Sequence, residues 1–194
     1  MKKKLIFIYI CIIAISIFAS CGSHLSYEQI VRVVIKNQAL LNQVPDEIKK
    51  YNEPYVSMTK KRPVENAISV PVPKDIDGLY IIEHIDKNYK ISNIENDIFK
   101  KVLNIKGIID IAFYDISEKG RFSVFFSCGG EGIGSAMSEY GFYYTEDNKP
   151  IGDDGADYEF MQSEEGWIWT EEDSDNEYYT QRITDNWFYY ECSW

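Results

Sequence analysis

Few residues in this sequence have the types and spacing for chemistry. The first to weigh is the glycine run in CGGEGIGSAM, Cys128–Met137, with four glycines in six positions after an apolar stretch. A dinucleotide fingerprint needs G-x-G-x-x-G between a strand and a helix. Here Gly130, Gly132 and Gly134 alternate, Ser135 stands where the third fingerprint glycine belongs, no GKS or GKT follows, and SAMSEYGFYY reads as strand. There is then no helix N-terminus to hold a phosphate, and Glu131 adds repulsion. The glycines are expected instead to permit a bulge, a sharp bend or the close approach of another chain at the edge of a sheet. No nucleotide and no cofactor is expected.

Catalytic groups are scarce. The only histidines are His24, near the N-terminal leader, and His84, inside an apolar strand where a hydrogen-bonded structural role is expected. No G-x-S-x-G, H-E-x-x-H or Cys-His arrangement is present. Paired carboxylates can hydrolyse glycans, and Glu164, Glu165, Glu171, Glu172 and Asp173 lie near Trp167 and Trp169, but so many acids make such pairs by chance. The segments DDGADYE (Asp153–Glu159) and EEDSDNE (Glu171–Glu177) offer hard oxygen ligands without the EF-hand order. Solvated acidic loops are the expectation there, and no metal site is assigned.

Charge and aromatic density are what distinguish the C-terminal third. Residues 22–130 carry 15 basic and 14 acidic side chains, whereas residues 131–194 carry 2 basic and 17 acidic ones. A field of that sign repels nucleic acid and attracts cationic partners. The same 64 residues hold 15 aromatic side chains, including all four tryptophans. In WFYYECSW, one parity (Trp187, Tyr189) or the other (Phe188, Tyr190, Trp194) must face a core. The remaining rings then line a second buried face or a binding surface for a protein or a sugar. The expected partner-binding residues are Trp167, Trp169, Glu171, Glu172 and Asp173.

The N-terminus reads as an export signal: three lysines precede an apolar run from Leu5 to Phe18, too short for the roughly 20 residues of a spanning helix. FASCG (Phe18–Gly22) resembles the lipobox of bacterial lipoproteins, departing from it at Phe18, where leucine is usual. The resemblance implies cleavage before Cys21 and lipidation of that cysteine with a diacylglyceryl thioether, and two or three acyl chains give durable anchoring. It implies a place in the cell envelope, at the outer membrane facing the periplasm if the cell is diderm. The C-terminal part, through GFYY (Gly141–Tyr144) and YTQRITDNWFYY (Tyr179–Tyr190), also resembles a set of small bacterial envelope proteins. That likeness carries no catalytic residue across.

With residues 1–20 as signal and 21–26 as lipid attachment and tether, residues 27–194 are enough for one domain with a full core. A helix is expected over Tyr27–Val44, opened by a capping box of Ser26 and Gln29. The proline-punctuated stretch Asn52–Lys74, with Lys60–Arg62, reads as a connecting arm. LYIIEHI reads as a strand, and a second capping box, Ser92 and Glu95, as the start of a helix ending at Gly107. IIDIAFYDI and RFSVFFSC form a hairpin, and YYTQRITDNWFYYECSW forms another around Asp185-Asn186, whose two-residue link suits a tight primed turn. The expected class is α+β, two or three helices packed on a mainly antiparallel sheet of about five or six strands. Cys128 and Cys192 are expected to pair in an oxidising envelope, closing a loop of about 65 residues worth roughly 4 kcal/mol.

These readings converge on a non-enzymatic, lipid-anchored envelope protein whose acidic, aromatic C-terminal face binds a protein with a basic surface. An immunity-type inhibitor of a periplasm-acting toxin is one version. A glycan- or peptidoglycan-binding module is the alternative, and a cell-wall hydrolase a more distant one.

Overall fold

A computed structural model describes residues 24–51, 55–60, 79–85, 88–116, 121–133 and 136–194. The leader, Cys21 and most of the proline-punctuated arm lie outside the described residues.

Ten strands make one antiparallel sheet: β1 (Tyr55–Thr59), β2 (Tyr80–Ile85), β3 (Asn88–Asn93), β4 (Asp110–Ile116), β5 (Arg121–Ile133), β6 (Ala136–Thr145), β7 (Met161–Gln162), β8 (Trp167–Thr170), β9 (Glu177–Thr184) and β10 (Trp187–Ser193). Their order across the sheet is β3-β2-β1-β4-β5-β6-β10-β9-β8-β7. The described α-helices are α1 (Tyr27–Leu41), α2 (Val44–Ile48) and α3 (Asp97–Leu103). The expected α+β arrangement of five or six strands is thus overturned, since a ten-stranded sheet dominates and the helices are short. Four strands escaped the sequence reading. β1 lies inside the supposed arm, β3 takes up the serine read as a helix cap, and β7 and β8 have two and four residues.

Helix α1 starts as expected: the Gln29 amide donates to Ser26 Oγ and the Ser26 amide donates to Gln29 Oε1 at 2.8 Å. Pro45 sits in the first turn of α2, where its missing N–H costs nothing. Helix α3 is capped by Asn96, whose Oδ1 accepts from the Ile98 amide at 2.8 Å, while Ser92 is a residue of β3.

Alternation along the strands sorts side chains onto two buried faces. On the first, Val56, Met58, Ile111, Phe113, Val124, Phe126, Phe142 and Trp187 pack with Ile30, Val34, Leu41, Phe99 and Leu103 of the helices. On the second, Phe125, Tyr143, Tyr178, Phe188 and Tyr190 form a separate cluster. Both parities of WFYYECSW are therefore buried: Trp187 and Tyr189 on the helix side, Phe188 and Tyr190 on the other.

None of the described helices covers the second face. The β6–β7 connection does so, holding a 3₁₀ turn at Asp153–Gly155 that lies over β4 and β5. Ile151, 2% exposed, plugs the aromatic cluster, and its amide donates to Tyr143 Oη at 3.2 Å. That hydroxyl also shares a 2.7 Å hydrogen bond with Thr180 Oγ1, which donates in turn to the Tyr189 carbonyl at 2.8 Å. Arg121 ties the cover down through Asp147 at 3.3 Å and Asp157 at 2.7 Å.

Two further expectations change. Cys128 and Cys192 are both free and buried, and they belong to the two opposite clusters, on β5 and β10 with β6 between them. A bond would have to pass through the sheet, which explains why the pairing fails. In the β9–β10 turn only Asn186 takes a positive φ, 67°, and the register slips between Trp187 and Phe188. The connection is a turn with a bulge, not a primed turn, which would place a positive φ at Asp185.

Candidate functional site

The partner-binding residues expected from sequence fall on the β8–β9 hairpin, but the structure gives them different tasks. Trp167 and Trp169 are half-buried members of the second cluster. Trp169 stacks on Tyr158 with centroids 3.9 Å apart and planes 9° from parallel, and Trp167 leans on Phe188 at 6.0 Å. The Trp169 ring helps to hold the cover on the sheet, and the Trp167 ring packs on the sheet itself. Glu171, Glu172 and Asp173 are exposed in the turn beyond Thr170. Glu171 organises that turn, its Oε2 accepting from Ser174 Oγ at 2.9 Å and Asn176 Nδ2 at 2.6 Å, while Asp173 takes a positive φ of 65°.

The aromatic and acidic elements meet elsewhere. A cleft of about 460 Å³ opens on the second face over β1, β4, β5, β6 and β10, where the cover stops short. Its origin is a run of small residues at positions facing that side, Ser57, Ala112 and Ser127, with the backbone of Gly129, Gly130 and Ser138. Large side chains rim the hollow: Tyr55, Tyr114, Phe125 and Tyr190, with Phe125 and Tyr190 in edge contact at 5.6 Å. Tyr55 and Tyr114 touch across β1 and β4 at 5.1 Å, and Tyr114 meets Phe125 edge-on at 5.9 Å.

Here the glycine run finds its role. β5 occupies the middle of the sheet, not an edge, and a bulge between Ser127 and Gly129 leaves Cys128 as the extra residue. A methyl group on Gly129 would collide with the Tyr140 ring, and one on Gly130 with the Ser138 carbonyl. The bulge and the close approach were legible in the glycines; the hollow that they floor was not.

Three carboxylates line the cleft: Asp110 at the start of β4, Glu139 on β6 and Asp153 on the 3₁₀ turn of the cover. All three are half-buried, and no Lys, Arg or His is among the described lining residues. Tyr190, 2% exposed, donates its hydroxyl to Glu139 Oε1 at 2.7 Å and so sets that carboxylate in place. Burial, and then the adjacent Glu139 charge, raises the Tyr190 hydroxyl well above the ordinary phenol range, so the hydroxyl stays a donor. Behind Asp110, Lys60 donates to the Ile108 carbonyl; burial lowers its ammonium pKa, and the Asp110 charge opposes that effect. On the first face, burial, with a smaller contribution from Glu139, pushes the Cys128 thiol up to about 12. That value leaves it an inert neutral group.

Among the described residues no three His, Cys, Asp or Glu side chains converge closely enough to hold a metal ion. The DDGADYE and EEDSDNE segments contribute a 3₁₀ turn and a hairpin turn. His84 lies on β2, two strands from β4, and His24 packs its ring on Tyr140 at 3.9 Å. A second hollow of about 410 Å³ lies between the α1–α2 corner and the β9–β10 turn, where Trp187 Nε1 donates to Asn42 Oδ1 at 3.0 Å.

Comparison with protein-family models, with curated proteins and with solved structures finds no match to this chain. Function has to be argued from the cleft itself.

Proposed function

We propose that this protein is a non-enzymatic binding protein of the bacterial cell envelope that receives a basic region of another protein in the cleft between Tyr114 and Glu139. One observation carries the reading. Asp110, Glu139 and Asp153 line a single concavity with no basic side chain among its described lining residues, and Glu139 and Asp153 belong to the third of the chain that carries 17 acids and 2 bases. Half-buried carboxylates interact with a cation through a lower effective dielectric than exposed ones, so the cleft favours positive groups beyond the general field of the surface.

The lipobox-like FASCG supports tethering through Cys21, and the geometry is compatible with it. Leu25 and His24 lie against Tyr140 on the helix side, the Leu25 amide donating to Tyr140 Oη at 3.2 Å, while the cleft opens on the opposite side of the sheet. A short tether from Cys21 would leave the cleft accessible to a soluble partner. An immunity-type inhibitor that neutralises a cationic toxin has this chemistry.

The test is binding of a mixed Lys/Arg polypeptide to the full-length chain in detergent micelles, measured over a range of salt concentrations. Affinity should fall steeply as ionic strength rises, and a Glu139→Gln, Asp153→Asn double variant should bind at least fivefold more weakly at fixed salt. Affinity that ignores both salt and the double substitution would refute the reading.

A further inference from the structure

We infer that the second hollow, between the α1–α2 corner and the β9–β10 turn, is a binding site for a neutral N-acetylated saccharide. The inference is independent of the cation cleft, because the two concavities lie on opposite faces of the sheet: Tyr144 and Trp187, which line this hollow, pack with the helix-side cluster.

The site is built around one fixed amide. Trp187 is 1% exposed, and an indole nitrogen can only donate. The Asn42 atom that meets it at 3.0 Å must therefore be Oδ1, which leaves Nδ2 as the free end of the amide. Asn42 is exposed and lines the hollow, and its Nδ2 has no hydrogen-bond partner among the described residues. The donor is thus oriented before any ligand arrives, which lowers the ordering cost of binding.

An aromatic wall stands beside that donor. Tyr144 is the register partner of Trp187 across β6 and β10, and its half-buried ring meets the indole edge-on at 5.4 Å. Burial, and then the charge of Glu146, raises the Tyr144 hydroxyl above the ordinary phenol range, so it remains a donor. An acetamido group has the matching parts: a carbonyl oxygen to accept from Asn42 and a methyl group to lie against a ring.

The other lining groups suit hydroxyls. Asp46 on α2 and Asp185 in the β9–β10 turn are acceptors, and the Gln38 amide, one turn before Asn42 on α1, both donates and accepts. Lys49 is the single base among the described lining residues, and its charge is engaged: Nζ donates to Glu146 and lies 4.7 Å from the centre of the Phe122 ring. The described lining therefore has no spare cation for a phosphate or a sulfate. At about 410 Å³ the hollow falls within the range of specific small-molecule sites, roughly 300–1,000 Å³.

The experiment titrates chitotriose into the isotope-labelled full-length chain in micelles and follows the backbone amides, with cellotriose, which lacks acetamido groups, as the comparison. Chitotriose should bind roughly fivefold or more tightly than cellotriose, the factor expected from one added hydrogen bond, and should move the amides of Asn42, Asp46 and Asn186. Its affinity should be the same at low and high salt, unlike that of a basic peptide in the cleft. Asn42→Asp keeps the acceptor for Trp187 and replaces the free donor with an acceptor. It should lower chitotriose affinity roughly fivefold or more while leaving circular dichroism and basic-peptide binding unchanged. Gln38→Ala should weaken binding about twofold, and it reads the same site if Asn42→Asp fails to fold. Equal affinity for the two sugars, no binding of chitotriose to the folded protein, or binding that survives both substitutions would overturn the inference. None of these results bears on the cation reading of the cleft.

Discussion

The two faces of the sheet solve the same burial problem with different materials. On one, helices α1, α2 and α3 bring Ile, Val, Leu and Phe onto an aliphatic and aromatic floor. On the other, the β6–β7 connection lies over rings stacked on rings: Phe125 on Tyr143 at 5.0 Å, Tyr143 on Phe188 at 5.3 Å and Tyr178 on Tyr190 at 6.0 Å. A helix covers its patch continuously and satisfies its own backbone groups. A connection must find partners for its backbone, as Ile151 does with Tyr143, and it covers only what its length reaches. The difference explains why this cleft lies on the second face: Asp153 is the part of the cover that reaches it, and the small residues of β1, β4 and β5 beside it leave a hollow that none of the described helices fills.

The sharpest way to break this comparison is to remove one large plug from each side. Phe126, between Phe142 at 4.7 Å and Trp187 at 5.6 Å, belongs to the floor on which the helices rest. Phe126→Ala should cost about 3–5 kcal/mol in global stability, measured by urea unfolding. Ile151→Ala should cost less, about 2 kcal/mol, and hydrogen exchange should show it as local opening of residues 146–160 with the helix side still protected. Equal costs, with both sides opening together, would mean that the cover is as integral to the core as the helices.

A finer contrast lies within the second face. Tyr143 uses its hydroxyl twice, whereas the buried Tyr178 hydroxyl has no hydrogen-bond partner among the described residues. Tyr143→Phe should destabilise by about 1–2 kcal/mol, and Tyr178→Phe should be neutral or slightly stabilising, in the same unfolding assay.

The mildest perturbation is alkaline titration. An exposed thiol ionises near 9, and in the fold burial holds Cys128 neutral up to about 12. The stabilisation from keeping it neutral is fully present below pH 9 and is lost as pH rises from 9 through 12, where the buried tyrosines also begin to oppose ionisation. Unfolding midpoints should decline across that window, and Cys128→Ala should make the decline shallower. The wild-type protein, denatured without reductant and digested, should show both Cys128 and Cys192 alkylated as free thiols.

The longer periodic elements were legible in the sequence, and the short or irregular ones were not. Helix α1 with its Ser26–Gln29 box, the β4–β5 hairpin and the β9–β10 hairpin each carry a clear period and an end signal. β1 was hidden because prolines on both sides of YVSMT read as an arm, and β7 and β8 are too short to show a period. WFYYECSW showed two apolar parities, which fits a sheet buried on both faces. The cleft escaped because its carboxylates are far apart in sequence, and because what makes it is the absence of large side chains at Ser57, Ala112, Ser127 and Gly130. Tryptophan and acid density pointed to Trp167, Trp169 and the Glu171–Asp173 turn, where rings and charges are abundant but the rings pack against their own protein.

The most direct test of the account is a map of backbone amide shifts while a short basic peptide is titrated into the labelled chain. The account predicts the largest changes at Ser127, Gly130, Ser138 and Asp153, around the cleft. Changes centred on Glu171, Glu172 and Asp173 at the hairpin turn, with the cleft unmoved, would contradict it.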